Sequence, residues 1–232
     1  MEIIYHTADI TKDAENLNTV LNSGVKTVEI DFVMTEDGVP VWTHELFPTI
    51  ISHSTDAYKK GQLTLFDVLD INNHRCKLML DLKYIPRHVL YSSKFFELIE
   101  KLNAYDEFQI QSLDLTFLTR LKEAKFSNIE IGLIINVLTK WYITTFKKLP
   151  NFDFMSISSE LWEKDNGSYI EKCNAIDPNA KKYAWTWATR VENEYKIDTF
   201  INKGADGIIT GTPDYVKKLA NRDIYSRKIS LN

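Results

Sequence analysis

Apolar positions along the chain follow two alternating rhythms. Short runs rich in β-branched and aromatic residues recur, and between them lie longer stretches whose apolar residues repeat at helical spacing; this pattern predicts strands separated by helices. Strands are expected over 3–6 (IIYH), 26–32 (KTVEIDF), 77–83 (KLMLDLK), 107–112 (EFQIQS), 129–134 (IEIGLI), 153–158 (DFMSIS), 182–187 (KYAWTW) and 206–210 (DGIIT). Helices are expected over 13–23, 64–71, 92–103, 114–124, 139–148, 191–203 and 213–220, whereas in 160–180 the stretch EKDNGSY reads as loop before any helix.

A strand followed by a helix, repeated, implies parallel strands joined by crossover helices. Eight such units predict an α/β fold, a closed (β/α)8 TIM barrel, although a doubly wound open sheet would use the same alternation. No Pro-, Gly- or Ser-rich linker interrupts the pattern, so residues 1–232 are expected to form a single domain. One run breaks the rhythm. VPVWTH at 39–44 follows the second strand across TEDG, too short for a helix, and Asp37-Gly38 is a hairpin signal. The expectation is a β-hairpin excursion after the second strand that carries His44 toward the barrel mouth.

Composition narrows the classes. The 232 residues, 44% hydrophobic and 12% aromatic, suffice for a sizeable core. With 28 basic and 32 acidic residues the net charge is −4, which gives no general attraction to nucleic acid or to an anionic membrane. No run of about 18 apolar residues argues for a transmembrane segment, and the start MEIIYHTADI reads as mature protein rather than as a signal peptide. Cys76 and Cys173 have neither CxxC spacing nor clustered histidines, so reduced thiols and a cytoplasmic location are expected.

The chemistry lies at strand ends. Residues i and i+2 of a strand share a face, so Glu29 and Asp31 point the same way near the C-terminal end of the second strand, where α/β barrels keep their active sites. Like charges held close together in partial burial raise a pKa or recruit a cation. LDLK repeats the design on the third strand: Asp81 can add a third oxygen and Lys83 can meet a bound anion. An oxygen set of this kind suits Mg²⁺ or Ca²⁺ better than zinc. A lone Asp at a strand end is commonly a helix cap, but three acids at one end of two adjacent strands favour a site.

His6 ends the first strand and His44 ends the hairpin run, so both are expected to open onto the same cavity. Paired imidazoles can act as general base and general acid on either side of a scissile bond, as phosphodiester cleavage requires, while a metal and a lysine offset phosphoryl charge. His53, His74 and His88 have no acid partner at a useful spacing and are read as structural.

Taken together, YHTAD at 5–9, AEN at 14–16, VEIDFVMTEDGVPVWTHE at 28–45, LTLFDVL at 63–69, LDLK, QS at 111–112, AWTW at 184–187 and GADGIITGTPD at 204–214 resemble the glycerophosphodiester phosphodiesterases, over nearly the whole chain. The blocks 28–45 and 204–214 are the most specific. The resemblance implies His6 and His44 as the acid/base pair, Glu29, Asp31 and Asp81 as ligands of one divalent cation, Mg²⁺ or Ca²⁺, Lys83 as a phosphate contact and Trp185 as an aromatic wall of the substrate pocket. It also implies a small-molecule phosphodiester substrate that yields an alcohol and sn-glycerol 3-phosphate; the charge balance, for its part, predicts no nucleic-acid partner.

Three positions depart from the pattern. Thr7 stands where the family has an Arg, Asp81 where Glu is usual, and Glu45 where the second His is usually followed by Asp. Asp81 with Lys83 also resembles the related sphingomyelinase D branch, so a phospholipase D-like lipid phosphodiesterase is one alternative. That alternative needs an interfacial apolar surface, for which KWYITTF at 140–146 is the candidate; otherwise the stretch is an amphipathic barrel helix. A non-catalytic barrel that binds phosphorylated ligands is the alternative from another class.

Overall fold

The structure is a computed structural model that describes residues 2–8, 10–44, 62–85, 89, 93–103, 108–126, 129–145, 151–163, 168–185 and 199–211. Its strands are β1 (Glu2–His6), β2 (Thr27–Met34), β3 (Pro40–Trp42), β4 (Lys77–Tyr84), β5 (Phe108–Ser112), β6 (Ile129–Ile135), β7 (Phe154–Ser158), β8 (Lys181–Trp185) and β9 (Gly207–Thr210). All but β3 pair in parallel in the order β1-β9-β8-β7-β6-β5-β4-β2, and the additional pairing of β1 with β2 closes the ring. That closure makes the fold a TIM barrel and removes the open doubly wound sheet.

Helices fill the crossovers: α1 (Ala14–Leu21), α2 (Leu65–Asn72), α3 (Ser93–Asn103), α4 (Leu115–Glu123), α5 (Trp141–Thr145), α6 (Ser159–Glu163) and α7 (Ser168–Ile176). Their starts are chemically marked. Asp13 accepts a hydrogen bond from the Asn16 amide, Asp114 accepts from the amides of Thr116 and Phe117, and Thr64 with Asp67 forms a reciprocal capping box. Helix is present at 199–202 within the expected 191–203, while 191–198 and 213–220 lie outside the described residues. The 160–180 stretch differs from the loop-first expectation. Helix α6 begins directly after β7, because Leu161 and Trp162 bury against the barrel and five residues are too few to show a helical period.

Strand alternation sorts side chains into two cores. One set, including Val28, Ile30, Leu78, Leu80, Ile110, Ile131, Leu133 and Ile157, packs outward with the apolar faces of the helices. The other, Ile4, Met79, Phe154, Tyr183 and Ile209, forms a separate cluster that fills the middle of the barrel. Gly132 makes room there, since a Cβ at that position would lie 2.0 Å from the Phe154 ring. Below the apolar layer, at the N-terminal ends of the strands, Glu130 bonds to Lys77 at 2.6 Å, Gln109 at 2.7 Å and Lys181 at 3.0 Å, and Glu2 accepts from Tyr183 at 2.8 Å. This polar floor seals one end. The other end carries the acids and histidines.

The hairpin excursion forms as expected. The β2–β4 register shifts between Phe32 and Val33, and there β2 pairs antiparallel with β3, Phe32 opposite Trp42. Thr35 accepts from the Val39 amide through its hydroxyl, and Gly38 adopts a φ of 84°, a left-handed value that favours glycine. The returning chain is then tied down twice, by Trp42 N–H to Leu63 O at 2.8 Å and by Thr43 N–H to Asp31 O at 3.1 Å.

Candidate active site

The strand registers set the site. His6 is directly opposite Glu29, and Asp31 is directly opposite Asp81, so inward-facing positions of β1, β2 and β4 converge at the C-terminal rim. His6, Glu29, Asp31 and Asp81 are all buried. His6 Nε2 lies 3.7 Å from Glu29 Oε2. His44, delivered by the hairpin, places Nε2 4.0 Å from Asp31 Oδ2 and stays more open, with 27% of its side chain exposed.

Lys83 ties the acids together. Its ammonium lies 2.8 Å from Asp31 Oδ1 and donates to Asp81 Oδ2. Burial would lower the Lys83 pKa, but Asp81, Asp31 and Glu29 outweigh it and hold the group well above its usual range, so it stays charged. The acids respond unequally. Burial, reinforced by Asp31 and Asp81, raises Glu29 well above the ordinary carboxylate range. Asp81 is pushed up to about 6, chiefly by burial. Burial also pushes Asp31 upward, but Lys83, His6 and His44 prevail and its pKa is lowered.

Three buried acids with one lysine leave negative charge that water cannot reach. One ligand atom each from His6, Glu29 and Asp31 lie within 4.8 Å of one another, a spacing at which one cation can touch all three. Glu29 Oε2 and Asp81 Oδ1 are buried and accept no hydrogen bond among the described residues. Such orphaned carboxylate oxygens are the donors that Mg²⁺ or Ca²⁺ takes, so the residues present fit a hard divalent ion. Asp81 stands beside this trio rather than in it, with one oxygen held by Lys83 and the other without a partner among the described residues.

Trp185 ends β8 and packs, partly buried, on the apolar cluster inside the barrel, so its ring borders the same rim. Its sequence neighbour Trp187 lies outside the described residues, as do Glu45, His53 and His88. Thr7 is fully buried, and its hydroxyl makes no hydrogen bond among the described residues.

Some features escape a sequence reading. Lys12 folds back over the loop after His6, donating to Thr7 O at 2.5 Å and Ala8 O at 2.8 Å, with its charge 5.6 Å from the centre of the Trp42 ring. Nothing in the sequence links Lys12 to the hairpin. Gln111, in register with Asp81, accepts from Ser156 at 2.5 Å inside the barrel. The i+2 spacing of Gln109 and Gln111 is the signal by which that inward position could have been found.

A cavity of about 560 Å³ opens near the other end of the barrel, lined by Val25, Lys26, His74, Arg75, Cys76 and Lys77 among others. Its cations have structural work. Arg75 donates to Ile71 O and Asn72 O at the end of α2 and to Asn18 and Asn22, and Lys77 pairs with Glu130. That hollow is a seam between α1, α2 and the start of β4, remote in the fold from the acids and histidines.

Neither the protein-family models nor the curated proteins yield a match to this chain. Solved structures do share its fold, at low identity. A glycerophosphodiester phosphodiesterase from Parabacteroides distasonis is 16% identical over 98% of both chains, with a TM-score of 0.72. An Oleispira antarctica phosphodiesterase, solved in complex with the product sn-glycerol-3-phosphate, is 16% identical over 95% of both chains, with a TM-score of 0.65. A glycerophosphodiester phosphodiesterase from Thermotoga maritima is 13% identical, covering 94% of this chain and 96% of its own, with a TM-score of 0.60.

Proposed function

We propose that this chain, read over residues 1–232 as one catalytic domain, is a phosphoric diester hydrolase that converts glycerophosphodiesters to an alcohol and sn-glycerol 3-phosphate with the help of one divalent cation, Mg²⁺ or Ca²⁺. The observation that carries this reading is the meeting of His6, Glu29, Asp31, Asp81 and Lys83 at one barrel rim, with His44 returned to it by the hairpin. The product complex of the Oleispira antarctica phosphodiesterase, which shares the fold, supports the substrate class.

In this reading Glu29 and Asp31 hold the cation, with Asp81 adding its remaining oxygen. Bound there, the cation would withdraw charge from the phosphoryl oxygens. Lys83 donates to Asp81 and pairs by charge with Asp31, and its ammonium, with three N–H donors, can also meet a phosphoryl oxygen. One imidazole takes the proton of the nucleophile while the other protonates the leaving oxygen: attack by water gives sn-glycerol 3-phosphate directly, whereas attack by a neighbouring substrate hydroxyl releases the alcohol and a cyclic phosphodiester that a water must then open. The greater exposure of His44 suits it to the atom that exchanges with solvent, and the burial of His6 beside Glu29 suits it to a fixed position. Trp185 forms one apolar wall for the glycerol moiety. The two cysteines, free and buried, are compatible with a reducing cytoplasm.

Hydrolysis of a generic aryl phosphodiester with and without EDTA tests the reading. A rate that chelation abolishes and Mg²⁺ or Ca²⁺ restores is expected; an absent or chelator-insensitive rate would favour a non-catalytic ligand-binding barrel.

A further inference from the structure

The turn after β6 is built inside out. Asn136 and Thr139, its polar residues, point into their own hydrogen bonds: the amides of Leu138 and Thr139 donate to Asn136 Oδ1 at 2.9 and 3.0 Å, the Asn136 amide donates to Thr139 Oγ1 at 3.0 Å, and Thr139 Oγ1 donates to Ile134 O at 3.2 Å. Thr139 is 8% exposed, whereas Val137 is 38%, Leu138 65% and Trp141 45% exposed. Of the four exposed large apolar side chains among the described residues, three fall in these five positions. Single exposed apolar residues are ordinary; three within five positions of one braced turn form a candidate interaction surface.

Helix α5 is anchored beneath the cluster. Ile143 is buried, and Tyr142 donates its hydroxyl to Leu113 O at 3.2 Å, on the loop after β5, so the segment sits at the same end of the barrel as the acids and histidines. Trp141 lies against Tyr142 with ring centroids 4.2 Å apart. The local charge is positive: from Ile131 to Thr145 the sequence has one charged residue, Lys140, within a chain whose net charge is −4. Lys140 is exposed beside the apolar residues.

We infer that Val137, Leu138 and Trp141, flanked by Lys140, form a docking surface for an anionic phospholipid surface. Leucine and tryptophan side chains enter the headgroup boundary, where indole is favoured, and the neighbouring lysine meets lipid phosphate. Only the consequence for substrate rests on the phosphodiesterase reading: a rim that sits on lipid presents the site to diesters with an acyl or alkyl chain as well as to soluble ones.

Cosedimentation of the full chain with phosphatidylcholine vesicles, with and without phosphatidylglycerol, tests the inference without using turnover, so its failure is separate from failure of the phosphodiesterase reading. The wild type is expected to pellet with the mixed vesicles and less with phosphatidylcholine alone. Leu138→Glu is expected to weaken vesicle binding about tenfold or more, from loss of one buried leucine, with the melting temperature and hydrolysis of a soluble diester unchanged. Lys140→Glu, a second exposed change, should weaken binding only to the anionic vesicles. Wild-type protein left in the supernatant with both vesicle types, or Leu138→Glu that pellets as well as wild type, overturns the inference. So does a dimer dispersed by Leu138→Glu with no vesicle binding, because the patch then belongs to a second copy.

Discussion

Asp31 and Asp81 face each other directly across two parallel strands, and Lys83 bridges them, contacting Asp31 at 2.8 Å and donating to Asp81. Like charges placed opposite one another destabilise a sheet unless a counter-charge intervenes. Removing the lysine leaves buried carboxylates uncompensated. Lys83→Met is therefore expected to lower the unfolding free energy by about 3–5 kcal/mol in EDTA, with part of the loss recovered on adding Mg²⁺ or Ca²⁺. Urea denaturation with and without the cation checks this.

The two histidines are expected to separate by role. His44 lies 4.0 Å from Asp31 and is partly exposed, whereas a nitrogen of His6 belongs to the group that can surround one cation. His44→Ala should abolish turnover and leave cation affinity largely intact. His6→Ala should reduce both. Calorimetric titration of Mg²⁺ and Ca²⁺ into each variant decides it; loss of cation binding in His44→Ala would mean its role is misassigned.

The polar floor gives a pH signature. Burial would raise the Glu130 pKa, but hydrogen bonds from Lys77, Gln109 and Lys181 hold it at about 2, against an ordinary 4.5. A depressed carboxylate contributes stability above its unfolded pKa and loses it as pH falls toward the folded value. Glu130→Gln should thus flatten the stability profile between pH 4.5 and about 2. Denaturation midpoints across that window, in wild type and variant, test the sign.

Gly132 is a packing requirement. Gly132→Ala would press a methyl into the Phe154 ring, which fills the middle of the barrel, and overpacking of this kind costs about 1–3 kcal/mol. Adding Phe154→Leu to the same chain should recover part of that loss. Chemical denaturation of the single and double variants measures it.

Much of this arrangement was legible because it lies on strands. A period of two places Glu29 with Asp31 and Asp81 with Lys83 on one face, and the short TEDG turn forces the hairpin that returns His44. What stayed hidden depends on contacts between distant segments. Lys12 bracing the loop after His6 has no local signature, nor does the Lys83 bridge to Asp31, because the register that sets Asp31 opposite Asp81 is not written in either strand alone. Helix α6 was missed for a local reason, its five residues being shorter than any readable period. The exposure of Leu138 was equally hidden, since sequence cannot tell an apolar residue turned out from one turned in.

The most direct measurement follows the phosphorus NMR spectrum of a glycerophosphodiester incubated with wild-type protein and Mg²⁺ or Ca²⁺. The account predicts that sn-glycerol 3-phosphate grows in, that EDTA halts it, and that His44→Ala yields none. An unchanged substrate spectrum with either cation, or product formation indifferent to EDTA, would contradict it.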